Sequence, residues 1–359
     1  MADYTKIDGV AAADIAKVSS VAVGNISKVA GVSKPTTATA TKWLAAGAGA
    51  KVFKSSAANA GSGWAEIVDL GSGNFKGITI GEDNSDNKRW FVHSTNNSSE
   101  LHYVNDGDED SSGNWTTLNV GNSHAAVDGG PSLAWGNDYW ICATDDYGVD
   151  EIVLLASADG GTNWSEVDVG NSTNDTGRTA AYKDGTTFFM SVQDQIWKTT
   201  ADPQTPGNWS LQVDLAGAQD ILAMAYDGTS RWVCVGAGGE VHSSDDDWAT
   251  ADVRTGAHAS DTIHGVVYCS GIGKWVAVGT GGKVSHSSDG ATWTAVTPNP
   301  SSVTLRAIAT DDTTLVAVGN SGTVITSPDA INWTVVTHSP AITNTLYAVA
   351  CDIIGAGMR

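Results

Sequence analysis

Basic charge is scarce in this chain, with 19 lysines and arginines against 40 aspartates and glutamates and a net charge of −21. Binding to nucleic acid or insertion into an anionic membrane would work against that field, and no basic stretch interleaved with aromatics offsets it. Long apolar runs are also missing, so no membrane-spanning helix is expected. The opening Met1-Ala2-Asp3-Tyr4 is not followed by the cationic and apolar segments of a secretory signal, and none is expected. Cysteine is limited to Cys142, Cys234, Cys269 and Cys351, each inside an apolar segment at no metal-like spacing. Buried free thiols are expected in place of a disulfide framework. What the chain has in quantity is glycine, 41 residues, and tryptophan, 14 residues, in a composition that is 41% apolar. That is a turn-rich chain able to bury a large core.

Internal repetition organises the rest. Two clean copies, 264–296 and 305–336, each read as four short β segments: a small-residue apolar strand, a second ending in Val-Gly, a third after Gly-Gly or Ser-Gly, and a fourth starting at Trp. The fourth-strand Trp recurs at Trp64, Trp115, Trp164, Trp209, Trp248, Trp293 and Trp333. A second marker opens the second strand at Trp43, Trp90, Trp140, Phe188, Trp232, Trp275 and Leu315. Seven four-stranded units of ~40–50 residues predict an all-β, seven-bladed β-propeller. The first copy begins at Lys42-Trp43 without a first strand, and the segment Leu346-YAVACD supplies one after the seventh copy. The expected C-terminal strand therefore completes the N-terminal blade and removes an open sheet edge. The expected domains are an arm at 1–35, a linker at 36–41 and the propeller at 42–359.

Between third and fourth strands, Ser157, Asp159, Gly161 and Trp164 stand at Ser-X-Asp-X-Gly-X-X-Trp spacing, with shorter versions at Ser287, Asp289 and Trp293 and at Ser327, Asp329 and Trp333. This is the Asp-box turn, and here the chain resembles sialidase-like propellers and the photosystem-assembly-factor propellers with their GxVxxSxDGxxW repeat. Ser and Asp side chains bond turn backbone, Gly supplies positive φ and Trp covers the hairpin, so a structural role is expected. The sialidase resemblance would imply an arginine cluster and a Tyr–Glu nucleophile pair. Only six arginines occur, and Arg89 and Arg231 stand where Lys42 and Lys274 stand in other copies, like interchangeable surface positions. No catalytic residue is therefore assigned, and a sialidase-like glycosidase is the least favoured alternative.

Other candidates are local. Asp106, Asp108 and Asp110 alternate as carboxylates that can wrap calcium do, against the simpler reading of a solvated acidic hairpin. Calcium is the one cofactor considered. Trp135 and Trp197 lie outside both markers and are candidate glycan platforms, core packing being the commoner fate of such rings. Insertions around 83–87 and 145–150 are expected to be specificity loops.

Residues 1–35 carry a separate eleven-residue period, Tyr4-TKIDGV, Ile15-AKVSSV and Ile26-SKVAGV, too short to form a core alone. Repeats of this type before a propeller resemble virion structural proteins of tailed phages, marine and cyanobacterial ones in particular. That resemblance implies a non-enzymatic virion component of tail, fibre, baseplate or head decoration. Its arm would bind other virion proteins and self-associate, and its propeller would serve assembly or host-surface glycan binding. The alternative is a cellular assembly factor or adhesin.

Overall fold

The computed structural model describes residues 42–353, apart from 56, 58–59, 72, 95–99, 121–123, 126–131, 147–150, 172–176, 216–219 and 256–257. The arm, the linker and the last six residues lie outside the described residues, and with them the expectations placed on 1–41. Seven four-stranded antiparallel sheets make up the fold, with no α-helix among the described residues.

Blade 1 runs from Leu346–Cys351 outward through Trp43–Gly47 and Lys51–Ser55 to Trp64–Asp69. Blades 2 to 7 begin at Phe75–Glu82, Leu133–Gly136, Gly177–Asp184, Ile221–Tyr226, Ile263–Cys269 and Leu305–Thr310, each followed outward by three later strands in chain order, with the short strand Asp145–Asp146 standing outside the sheet of blade 3. Each inner strand packs on the inner strands of both neighbouring blades, from blade 1 round to blade 7 and back, so the ring is closed. The closing strand pairs Trp43 with Cys351 and Gly47 with Leu346, as the sequence predicts.

Burial explains the composition of each strand. A second strand is covered on both faces by neighbouring blades, and Trp43–Gly47, Trp232–Gly236 and Leu315–Gly319 are buried at every position. The outermost Thr294–Ala295 and Thr334–Val335 are exposed throughout. All seven second-strand markers are at most 1% exposed. Seven apolar clusters lie between the blades, each shared by one adjacent pair, so every core is an inter-blade core.

Glycine is required where the turn between second and third strands meets the link to the next blade. Gly282 has φ +69, and a Cβ there would collide with the Ser301 carbonyl. An extra two-stranded ladder pairs His124–Ala125 with Asp145–Asp146.

One marker is misplaced by the sequence reading. In blade 5 Trp248 does not open the fourth strand, which is Asp252–Arg254. It occupies the turn at φ +68, and its N–H donates to Ser244 Oγ at 2.9 Å, as the N–H of Gly161 does to Ser157. The indole, fully buried, fills the core from the turn, while Ala251 stands before the fourth strand. Residues 83–87 form a closed turn in which Asp83 Oδ1 accepts the Ser85 and Asn87 N–H groups at 2.8 and 3.1 Å. They lie on the opposite face of the ring from 145–146.

Candidate functional site

All blades share one strand order, so their inner strands run the same way round a central channel and their turns sort onto two faces. One face carries the turns from first to second and from third to fourth strand, the Asp-box turns among them. The other, the connection face, carries the links from second to third strand and from blade to blade.

On the Asp-box face, side chains serve the fold. Ser157 Oγ donates to Asp159 Oδ1 at 2.9 Å, and Asp159 accepts the Asn163 N–H at 2.8 Å. Trp164 Nε1 closes the turn on the Gly161 carbonyl at 3.0 Å. The turn at Ser287 repeats this: Oγ accepts the Gly290 N–H at 2.9 Å, Asp289 accepts the Thr292 N–H at 2.8 Å, and Trp293 packs at the interface of blades 5 and 6. At Ser327, Asp329 accepts the Asn332 N–H at 2.7 Å and Trp333 Nε1 reaches the Ala330 carbonyl at 3.2 Å. Backbone N–H donors hold both Asp289 and Asp329 down to about 2.

The basic residues that precede second-strand markers are not interchangeable surface positions. Arg89 donates to the Gly160 carbonyl at 2.9 Å, Arg231 to the Asp289 carbonyl, and Lys274 to the Asp329 carbonyl at 3.4 Å. Each thereby ties its blade to the Asp box of the next one.

The alternating carboxylates do the same work between blades 1 and 2. Asp106 accepts Lys42 at 2.7 Å and Trp90 Nε1 at 2.8 Å, and Asp110 accepts Lys54 at 2.9 Å. Between them Glu109, which the sequence reading passes over, is fully buried and meets Lys42 at 2.6 Å and Lys54 at 3.0 Å. Those lysines hold its carboxyl below the usual range against the opposing effect of burial. No group of three His, Cys, Asp or Glu side chains among the described residues is placed to hold a metal. Calcium at Asp106, Asp108 and Asp110 would have to displace two lysines.

The two candidate platforms lie in adjacent blades. Trp135 lies in the inner strand of blade 3 with its ring 6.4 Å from Trp140, and Trp197 lies in the third strand of blade 4 with Nε1 on Gln195 at 3.2 Å. A sugar platform needs an open ring face, and both indoles cover part of theirs with core.

The channel mouth on the connection face is different. In six blades the inner strand carries a β-bulge at its second residue, which the ladder skips: Tyr347, Lys76, Arg178, Leu222, His264 and Arg306 in blades 1, 2, 4, 5, 6 and 7. A bulge re-aims one side chain, and these six stand round one rim. Lys76 Nζ lies 3.4 Å from the Tyr347 ring centroid and the Arg306 guanidinium carbon 6.0 Å from it. The two cationic centres are therefore within about 9 Å, a repulsion of ~2 kcal/mol at an effective dielectric near 20. Burial and Arg306 bring Lys76 down to about 8, and burial, Arg306, His258 and Lys76 bring His264 down to about 4. On the far rim Arg178 pairs with Asp220 at 2.6 Å. Below the mouth, apolar side chains such as Ile78, Ile80, Val266 and Ile308 line a space of about 690 Å³ including its opening. A sequence signal for this site exists: a long polar residue directly after the hydrophobic anchor of an otherwise small-residue strand.

No protein-family model matches the chain, and no curated protein sequence matches it. Among solved structures, YCF48 bound to D1 peptide superposes with a TM-score of 0.54 at 14% identity, covering 73% of this chain and 81% of that one. The likeness is one of fold. YCF48 from Cyanidioschyzon merolae gives 0.52 at 13% identity over 73% and 85% of the two chains. The computationally designed Ika8 protein gives 0.54 at 11% identity over 88% and 90%.

Proposed function

We propose that this chain is a non-enzymatic binding propeller that holds a partner polypeptide on its connection face, in the manner of an assembly factor or adhesin. The observation that carries this reading is the ring of bulges. One backbone device recurs in six blades and presents five different residue types at one mouth, whereas a purely structural position keeps one residue type, as the Asp boxes do. A propeller of this fold, YCF48, has been captured with D1 peptide, which supports peptide holding as a use of the architecture. Against catalysis, the described arginines each have a local partner: Asp83 for Arg89, Asp220 for Arg178, Asp245 for Arg231, Asp252 for Arg254 and Asn320 for Arg306. A sialidase clamp would need several of them to converge on one carboxylate.

The test is site-specific photocrosslinking. A photoreactive residue at Leu222 should capture partner chains, one at Thr294 on the outer edge should not, and Lys76→Glu with Arg306→Glu should abolish capture. Capture from the outer edge alone, or turnover of a fluorogenic sialoside lost on a single change in the ring, overturns the reading.

The repeats Ile15-AKVSSV and Ile26-SKVAGV favour a second reading, a virion structural protein of a tailed phage anchored by residues 1–35. Mass spectrometry of purified particles tests it, as does deletion of 1–35, which should leave a soluble propeller that no longer incorporates.

A further inference from the structure

We infer that the channel mouth is a binding site for an oxyanion, a carboxylate or phosphate group, held by Lys76, Arg306 and His264 beside Tyr347. This deepens the binding-module reading by naming the chemical group the mouth takes, and it rests on that reading only for the partner that would carry the group.

Three independent blades deliver these side chains by the same bulge, so the direction in which each leaves the backbone is set by the fold. Tyr347 fixes the spacing: the Lys76 ammonium lies against its ring, and the Arg306 guanidinium, whose Nε donates to Asn320 Oδ1 at 3.1 Å, lies beyond it. Besides burial, the positive charges of Arg306 and Lys76 both act on His264, which places it beside them. Like charges held together at the edge of an apolar channel repel one another, and an oxyanion among them converts that repulsion into attraction. The guanidinium fork and the ammonium suit the oxygens of a carboxylate or phosphate. The contrast with the rest of the molecule is sharp. On the opposite face Asp106, Asp159, Asp289 and Asp329 bond to lysine or backbone, and the carboxylates Asp194, Asp214, Asp220 and Glu240 of the connection face belong to blades 4 and 5, away from blades 2, 6 and 7.

Amine footprinting tests the inference on the full chain without any partner. Lys76 acetylation by N-hydroxysuccinimide acetate is followed by mass spectrometry in sodium phosphate, sodium succinate and sodium chloride at matched ionic strength, with Lys51 as internal reference. Phosphate, succinate or both should slow Lys76 labelling at least about threefold relative to chloride, as expected at twice the dissociation constant. The pattern distinguishes a phosphate site, a carboxylate site and a general oxyanion site. Arg306→Gln and His264→Asn should each remove the protection. Equal labelling in all three salts, or protection undiminished in both variants, overturns the inference. Protection without any crosslinked partner would sustain the anion site while the docking reading fails, and crosslinking without protection would do the reverse.

Discussion

Replacing Glu109 by glutamine removes one negative charge from a position that is fully buried and in contact with two lysines. Breaking a buried ion pair by removing one partner costs about 3–5 kcal/mol when the other charge is left stranded. Here neither lysine is stranded, because Lys42 keeps Asp106 at 2.7 Å and Lys54 keeps Asp110 at 2.9 Å. Glutamine also keeps an oxygen to accept the Gly107 N–H, now 2.7 Å from Glu109 Oε2. The expected loss is therefore smaller, about 2–3 kcal/mol. For a propeller of some three hundred residues, at about 2.1 cal/mol/K of unfolding entropy per residue, this lowers Tm by roughly 3–5 °C. Differential scanning calorimetry on Glu109→Gln measures it, with Glu66→Gln as a control, since the Lys51–Glu66 pair at 2.7 Å is solvent-exposed and worth little. A shift no larger than that of the control would refute the claim that Glu109 is the hub between blades 1 and 2.

Deleting 345–359 removes the strand that pairs with Trp43–Gly47, so the truncated chain should aggregate or lose cooperative unfolding; a soluble product with unchanged melting would refute ring closure by this strand. His258 is fully buried, and burial, with Lys283 nearby, brings it from 6.5 down to about 4, so protonation favours the unfolded chain. Its contribution is intact above pH ~6.5 and is lost as pH falls toward 4, by up to roughly 3 kcal/mol; His258→Leu should flatten urea stability over that window, and an unaltered slope would refute the assignment. Asp289 and Asp329 lie near 2 against an ordinary 3.8, so their turns contribute fully above pH ~4 and weaken as pH falls toward 2. Asp289→Ala should cost about 1 kcal/mol at neutral pH, read by urea unfolding; no change would mean the turn holds without its carboxylate.

Blade number, strand order and closure are legible because they rest on residues with a single physical task. A second strand buried on both faces must be continuously apolar, and Trp43, Trp232 and Trp275 announce it at regular intervals. The reading slips where one residue type does two tasks. Trp248 looks like a fourth-strand marker, yet Ser244 and Asp246 bond the turn so that the indole enters the core from the glycine position. Glu109 is hidden for a related reason: among Asp106, Asp108 and Asp110 it reads as one more solvated acid, and only the approach of Lys42 and Lys54 from blade 1 makes it a buried hub. The mouth residues escape a period-two reading because a bulge breaks the alternation at the position concerned.

The two faces of the ring divide labour by how their residues vary. On the Asp-box face, Ser, Asp and Trp recur at equivalent places with nearly the same hydrogen bonds, and the inter-blade cations end on neighbouring turns. Variation there would loosen a joint between blades, so recurrence is what stability demands. At the channel mouth the backbone device recurs and the side chain does not: Lys76, Arg178, Leu222, His264, Arg306 and Tyr347 share a register and little else. Cation–π attraction to the Tyr347 ring holds two cations there against the opposing effects of their mutual repulsion and burial. Under the proposed binding role, a repeated scaffold that holds unlike and mutually repelling groups at one rim would serve a ligand outside the chain, and its cationic side would favour one bearing the opposite charge.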